Sequence, residues 1–303
     1  MKILFAGKYP DFVIEEAKTI AHVVHLAEPG RKEMYTEIGD ADIVIVTPRV
    51  RASRRLLERA KQLKVMITFS HGYEHVDTDA LGEMGIKFYN IPGSTSSVTE
   101  LTFGLMIAVM RKIPAHDRRM KKGGWKRGKK DFGHELRGKT LGVVGLGPIG
   151  RDVCRVAKCF GMNVLACDPN NLARGKIRVK RVNLDALLRK SDIISLHAHL
   201  NEDTKHMIGE REIGKMKKSA ILVNTARGGL VDSEALHRAL KSGRIAGAGL
   251  DVFEKEPPGK DKLVRLPNVV CTPHAGADTF ESLRRKGEML LDILRKEVKQ
   301  PSK

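Results

Sequence analysis

Short aliphatic runs alternate along the chain with longer runs whose apolar positions recur at helical spacing. Residues 2–6, 42–47 and 65–69 are nearly continuous apolar stretches, the second closed by Pro48. Strands buried on both faces read this way. A shorter strand is expected at 87–89. Helical patterns fill 11–20, 53–62 and 78–84, the last stopped by Gly85. A long helix is expected over 95–112, with Ser97 as N-cap and Glu100 three residues on, as in a capping box; Pro114 lies just past its end. Residues 118–130 are basic and punctuated by glycine, and read as a connection. A second block then offers strands at 140–144, 163–167, 192–197, 220–224, 245–250 and 269–271, with helices between them and a terminal helix at 283–298. Strand alternating with helix predicts an α/β protein with parallel sheets.

At 303 residues the chain has room for two domains. With 41% hydrophobic residues it can bury a core, which excludes a disordered chain. The formal net charge of +19 raises nucleic acid, anionic membrane and acidic metabolites as partners without choosing among them. Arg118, Arg119, Lys121, Lys122, Lys126, Arg127, Lys129 and Lys130 crowd one segment around Trp125, yet no recognised nucleic-acid motif accompanies them. Cys154, Cys159, Cys167 and Cys271 form no CxxC pair, so reduced thiols and no metal site are expected. The most apolar stretch, 101–110, is about half the length a bilayer needs. The first seven residues are too short an apolar run for a signal peptide. A cytoplasmic protein without membrane partners is the expectation.

Candidate chemistry starts at Gly145, Gly147 and Gly150, a GxGxxG that follows the strand at 140–144 and opens a helix. A second strand then ends in Asp168, 23 residues after Gly145 and near the spacing of about 20 for a dinucleotide fingerprint. In such a loop Gly145 makes the tight turn, Gly147 lets a pyrophosphate approach, and Gly150 permits close helix–strand packing. Pro148 and Ile149 open the helix, whose free N–H groups and dipole attract phosphate. Asp168 would accept hydrogen bonds from ribose hydroxyls and repel a 2′-phosphate, favouring NAD over NADP. Arg174 would soften that preference.

Three further segments follow parallel strands: Asn224-Thr225-Ala226-Arg227-Gly228, Asp251 to Pro257, and Pro273-His274-Ala275-Gly276. An Arg, a Glu and a His thus stand past carboxyl ends of strands, the edge where open α/β sheets bind ligands. With Asn90-Ile91-Pro92-Gly93 and Glu135-Leu136-Arg137-Gly138-Lys139-Thr140, these motifs run in one order over nearly the whole chain. Together they resemble the D-isomer-specific 2-hydroxyacid dehydrogenases.

The resemblance implies a Rossmann-type NAD-binding domain at 98–275 and a flavodoxin-like substrate domain at 1–97 and 276–303, both doubly wound, with the active cleft between them. It implies Arg227, Glu256 and His274 as the catalytic three, with Glu254 the competing acid. Arg227 would hold the substrate carboxylate. His274 would pass a proton to and from the substrate oxygen, and Glu256 would raise its pKa. His197, Thr225, Ala226, Asp251, Ala275 and Gly276 would line the cofactor; His71 and Gly72 would bind carboxylate through their backbone, and Arg49 could reach a distal acidic group. His199 stands where the family usually has proline, leaving that loop's path open. The basic segment falls where family members often form a dimer arm, so a homodimer is expected. Glyoxylate or hydroxypyruvate reduction is the favoured activity. A 3-phosphoglycerate dehydrogenase is the alternative; the length leaves no room for the extra regulatory domain that some of them carry, which does not exclude it. An NAD-sensing binding protein like the corepressors of this fold stands as the reading from another class.

Overall fold

The computed structural model describes residues 1–125, 128–168 and 178–299. Arg174 and two members of the basic run, Lys126 and Arg127, lie outside the described residues. The chain divides into two units, Met1–Ser94 with Asp278–Lys303, and Thr95–Ala277.

In the first unit the strands are β1 (Lys2–Ala6), β2 (His22–Leu26), β3 (Ile43–Val46), β4 (Val65–Thr68) and β5 (Lys87–Asn90). They form one parallel sheet in the order β2-β1-β3-β4-β5, the flavodoxin-like order. Helices α1 (Asp11–Lys18), α2 (Arg31–Glu37), α3 (Arg54–Leu57) and α4 (Thr78–Glu83) connect them. Alternate strand residues enter opposite cores. Leu4, Val44, Val46 and Met66 pack with Met34, Ile38, Leu57 and Leu81 on one face. Ile3, Phe5, Ile43, Ile45 and Ile67 pack with Val13 and Ala17 of α1 on the other, where the C-terminal helix (Phe280–Lys299) adds Leu290, Leu291 and Leu294. That helix is also tied to β5. The Glu297 carboxylate, 4% exposed, accepts hydrogen bonds from Lys87 Nζ at 2.9 Å and Tyr89 Oη at 2.8 Å.

The second unit begins with α5 (Thr95–Met110) and α6 (Ile113–Lys121). Strands β6 (Thr140–Val144), β7 (Asn163–Cys167), β8 (Lys180–Arg181), β9 (Ile193–Leu196), β10 (Ile221–Asn224), β11 (Gly247–Leu250) and β12 (Val269–Cys271) follow. Between them lie α7 (Pro148–Cys159), α8 (Leu184–Lys190), α9 (Glu210–Lys215) and α10 (Ser233–Lys241). The sheet is parallel in the order β12-β11-β10-β9-β6-β7-β8, which contains the Rossmann order 3-2-1-4-5-6 with one strand more. Both faces are again covered, by α5 and α7 on one side and α8 to α10 on the other.

Three details differ from expectation. Helix α5 starts at Thr95, so Ser97 is a buried residue of its first turn and not the cap. Ser94 to Ser97 are four residues with cap chemistry in a row, and local pattern does not choose among them. Part of the basic connection is helix α6, with Pro114 in its first turn and Arg118, Arg119 and Lys121 in its last, where each suits a helix. Arg119 pairs with Asp131 at 2.6 Å and Lys121 with Asp117 at 2.8 Å, while Trp125 is 80% exposed. Third, β2, α2 and β8 were not expected. Among the described residues no helix is long and apolar enough to cross a membrane.

Burial would raise the Glu297 pKa, but the bonds from Lys87 and Tyr89 outweigh it and hold the carboxyl below the usual glutamate value. A depressed folded pKa contributes stability above the unfolded value, and that contribution is lost as pH falls through the folded one. Glu297→Gln should therefore lower stability at pH 7 by about 1–2 kcal/mol, since Lys87 is half exposed and is not left buried. The gap to the wild type should close in acid. Urea midpoints at pH 7 and pH 3 check this; an equal gap at both would refute it.

Candidate active site

Register brings the second unit's chemistry together. Asn224 of β10 pairs with Leu250 of β11, and Leu250 with Cys271 of β12, so three neighbouring strands end level. Arg227, Glu256 and His274 leave from those ends.

Two side chains shape the first loop. Asn224 Oδ1 accepts the Ala226 N–H at 3.0 Å, and Asn224 Nδ2 donates to the Arg227 carbonyl at 2.8 Å. Thr225 is fixed through its hydroxyl, 2.9 Å from that of Thr102 in α5. Next comes Gly228, where a Cβ would lie 1.9 Å from the Phe253 carbonyl carbon. Only glycine lets the loop after β10 seat directly against the loop after β11. Arg227 is half-buried and donates from Nη1 to the Ala226 carbonyl at 2.7 Å.

Asp251 organises the third loop. It is 1% exposed, and its carboxylate accepts from Thr272 Oγ1 at 2.6 Å, Ala275 N–H at 2.8 Å and Gly276 N–H at 2.9 Å. Its carbonyl accepts the His274 N–H at 2.8 Å. These bonds hold His274 at φ 56°, in the left-handed region. From there His274 Nδ1 meets Glu256 Oε2 at 2.6 Å, while Glu256 Oε1 accepts the Phe253 N–H at 3.0 Å. The hydrogen bond that His274 donates to Glu256 raises the His274 pKa, against partial burial and the charge of Arg227. Burial pushes Glu256 upward, but the bonds from His274 and Phe253 and the Arg227 charge bring it below its ordinary value. Arg227 therefore acts electrostatically on both partners. Glu254, the competing acid, turns elsewhere: it pairs with His206 at 2.8 Å and accepts the Ser233 N–H at 3.2 Å.

The glycine loop lies at the carboxyl end of β6. Gly145 has φ +94°, and a Cβ there would meet the His197 carbonyl at 2.6 Å. At Gly150 a Cβ would lie 2.0 Å from the Gly145 carbonyl oxygen, so helix and turn touch backbone to backbone. At Gly147, by contrast, a Cβ would meet nothing within 4 Å. Gly147 is the N-cap of α7, at whose start the Ile149 and Gly150 N–H groups have no acceptor within the helix. An anionic pyrophosphate fits this cradle. Asp168 Oδ2 accepts the Leu146 N–H at 2.9 Å, which fixes the acid beside the loop. His197 packs beneath the turn, its Nε2 2.8 Å from Ser195 Oγ, and burial drives its pKa down to about 3. Beyond it, the segment lacking the family proline is held by Thr204, whose Oγ1 donates to the His199 carbonyl at 2.6 Å.

In the first unit, residues 69–77 form a loop past β4. Thr68 Oγ1 lies 2.8 Å from Ser70 Oγ and 2.9 Å from His75 Nε2, and Ser70 Oγ donates to the Gly72 carbonyl at 2.6 Å. Asn90 Nδ2 donates to the His71 carbonyl at 3.0 Å. The Gly72 N–H has no acceptor among the described residues. Arg49 is exposed after β3. Sequence reasoning assigned no part to Asn224, Thr272 or Thr225's partner Thr102. An Asn two residues before a backbone donor is a readable turn signal, whereas the other two depend on tertiary contact.

Comparison with known proteins agrees with this geometry. Residues 103–276 match the model of the D-isomer specific 2-hydroxyacid dehydrogenase, NAD binding domain. The chain belongs to that family of NAD-linked oxidoreductases. It is 42% identical to a hydroxypyruvate reductase of Thermotoga maritima over 88% of each chain. It is 40% identical to a D-3-phosphoglycerate dehydrogenase of Methanocaldococcus jannaschii over 98% of this chain but only 57% of that relative, so the chain spans little more than half of the latter. A D-lactate dehydrogenase from Aquifex aeolicus, solved with NAD and lactic acid, superposes with a TM-score of 0.89 at 32% identity, covering 98% of this chain and 95% of that one.

Asp251→Ala would strip the acceptor from Thr272, Ala275 and Gly276 together. At about 1–3 kcal/mol for each donor left buried and unpaired, the variant should lose at least about 2 kcal/mol after water re-entry. Amide exchange at Ala275 and Gly276 should quicken. Unchanged protection there would show that Asp251 does not hold the loop.

Proposed function

We propose that this chain reduces a small 2-keto acid to the D-2-hydroxyacid with NADH and runs the reverse oxidation. The observation that carries this reading is the 2.6 Å His274–Glu256 pair within the field of Arg227. Glyoxylate and hydroxypyruvate are the first substrates to try, given the relatives' names. When bound, the nicotinamide supplies or accepts the hydride.

The chain's own residues do the rest. In reduction, protonated His274 donates from Nε2 to the substrate oxygen as negative charge develops there. Glu256 holds Nδ1, which fixes ring orientation and keeps the imidazole charged until transfer. The Arg227 guanidinium binds the acid's carboxylate and polarises the keto oxygen. Gly72 offers a backbone N–H to the carboxylate. Ile149 and Gly150 N–H groups receive the pyrophosphate, and Asp168 receives the ribose hydroxyls. Thr225, Ala226, Ala275 and Gly276 border the ring position. Asp251 acts mainly as the positioning residue of the His274 loop.

His274→Ala should cut kcat by about 10²–10⁴ with NADH affinity nearly intact. Because Glu256 raises the His274 pKa, reductive kcat/KM falls as pH rises through that pKa, and the oxidative rate rises through it. Glu256→Gln should move both limbs to lower pH. A pH profile that stays in place would remove Glu256 from the mechanism. Asp168→Ala should narrow the preference for NADH over NADPH, read from kcat/KM with each. A wild type that prefers NADPH contradicts the role given to Asp168.

A further inference from the structure

The first unit carries a cation that the proposed reaction has not used. Lys286 lies in the second turn of the C-terminal helix and is half-buried. Its ammonium stands 4.3 Å over the ring of Phe69. Phe69 is the first residue beyond β4, with its N–H on the Val46 carbonyl and its ring edge-on to Tyr9 at 5.3 Å. Tyr9 is itself anchored, donating to the Ile45 carbonyl at 2.9 Å. The Lys286 amine is thus set on a rigid aromatic floor at the carboxyl edge of the sheet.

Its surroundings are unlike those of Lys2 and Lys215, two lysines that are also shielded. Lys2 pairs with Glu37 and Asp40, and Lys215 with Asp185 and Glu212. Among the described residues Lys286 makes no ion pair. Burial lowers its pKa, and the charge of Asp278, with which it forms no ion pair, opposes this. A shielded cation without a carboxylate is costly, and a cation–π contact recovers only about 0.5–2 kcal/mol. An anion arriving from solution would supply the missing partner. Two residues, Ser70 and His71, separate Phe69 from Gly72, a span of at most about 11 Å of extended backbone, and the Ser70–Gly72 hydrogen bond folds that span into a turn. The Gly72 N–H and the ring that carries Lys286 thus belong to one short stretch of chain.

We propose that Lys286 is a specificity-determining residue, receiving the second anionic group of a doubly charged 2-keto acid whose first carboxylate takes the Gly72 N–H. The group is a phosphate ester or a distal carboxylate. This rests on the reduction proposed above. Arg49, the cation singled out from sequence for a distal group, is exposed beside the Lys8–Glu28 pair and is less suited to discriminate.

The test compares wild type, Lys286→Met and Lys286→Arg. With NADH, kcat/KM is measured for glyoxylate, phosphohydroxypyruvate and oxaloacetate; the last two separate phosphate from carboxylate. Lys286→Met should lower kcat/KM for one or both doubly charged acids at least tenfold more than for glyoxylate, chiefly through KM, and Lys286→Arg should restore part of it. Equal losses on all three acids, or none, overturn the proposal. In parallel, phosphoglycolate binding is measured by calorimetry without turnover, and Lys286→Met should weaken it at least fivefold. If the wild type reduces no acid, the reduction reading fails and this titration alone decides Lys286. An unchanged Kd, or no binding to the wild type, then overturns it.

Discussion

Asp251 is a buried carboxylate, and burying a carboxylate demands donors. The Asp251 side chain obtains three, and all come from the stretch Thr272–Gly276. The consequence is a backbone forced through the left-handed region at His274. For a residue with a side chain that conformation costs about 1–3 kcal/mol. Hydrogen bonds to a charged acceptor contribute about 1.5–3 kcal/mol each, so three of them outweigh the strain. The histidine is therefore aimed by a neighbour that need not touch the reacting atoms. The same residue links two strands, because its N–H donates to the Asn224 carbonyl at 2.9 Å. The Arg227 loop and the His274 loop are built from one point.

Charge order around that point follows from the same packing. Arg227 pushes the His274 proton away and draws the Glu256 charge in. Glu256 wins at His274 because its contact is a 2.6 Å hydrogen bond, whereas Arg227 acts only through space. Neither partner is deeply buried, at 49% and 36% exposure. Water can reach the imidazole, as the proposed proton transfer requires if the proton is to be replaced. Removing water would strengthen all three interactions at once.

Much of this was legible before any coordinates. Strands with continuous aliphatic runs, such as β3 and β4, announced themselves because both of their faces are buried. Edge strand β2, His-Val-Val-His-Leu, is no more than half-buried and hides among polar neighbours. Helix α2 is seven residues with one buried side chain, Met34, too few for a helical period. Helix α6 buries none, so its charge run looked like a connection. At the site, residue types at strand ends pointed to Arg227, Glu256 and His274, but not to why Glu256 and Glu254 differ. That difference is geometric: Glu254 is claimed by His206 and the start of α10. The hub role of Asp251 was equally hidden, since its partners Asn224, Thr272, His274, Ala275 and Gly276 all lie more than 20 residues away.

Lys286 shows the limit from the other side. Its helix is rich in Lys and Arg, and in a chain of net charge +19 one more lysine carries no signal. A surplus of that size draws every acid toward the surface, and it is screened beyond about 8–10 Å at ordinary salt. Such a field raises encounter rates without distinguishing one small acid from another by where its charges sit. Discrimination needs a cation whose position is fixed and whose water has been partly removed. Arg284, Arg295 and Lys18 do not qualify, because each is exposed and already faces a carboxylate. Lys286 has the aromatic floor, the shielding and no carboxylate of its own. Selectivity between singly and doubly charged acids is therefore expected to rest on one amine, while the remaining positive charge governs how fast any acid arrives.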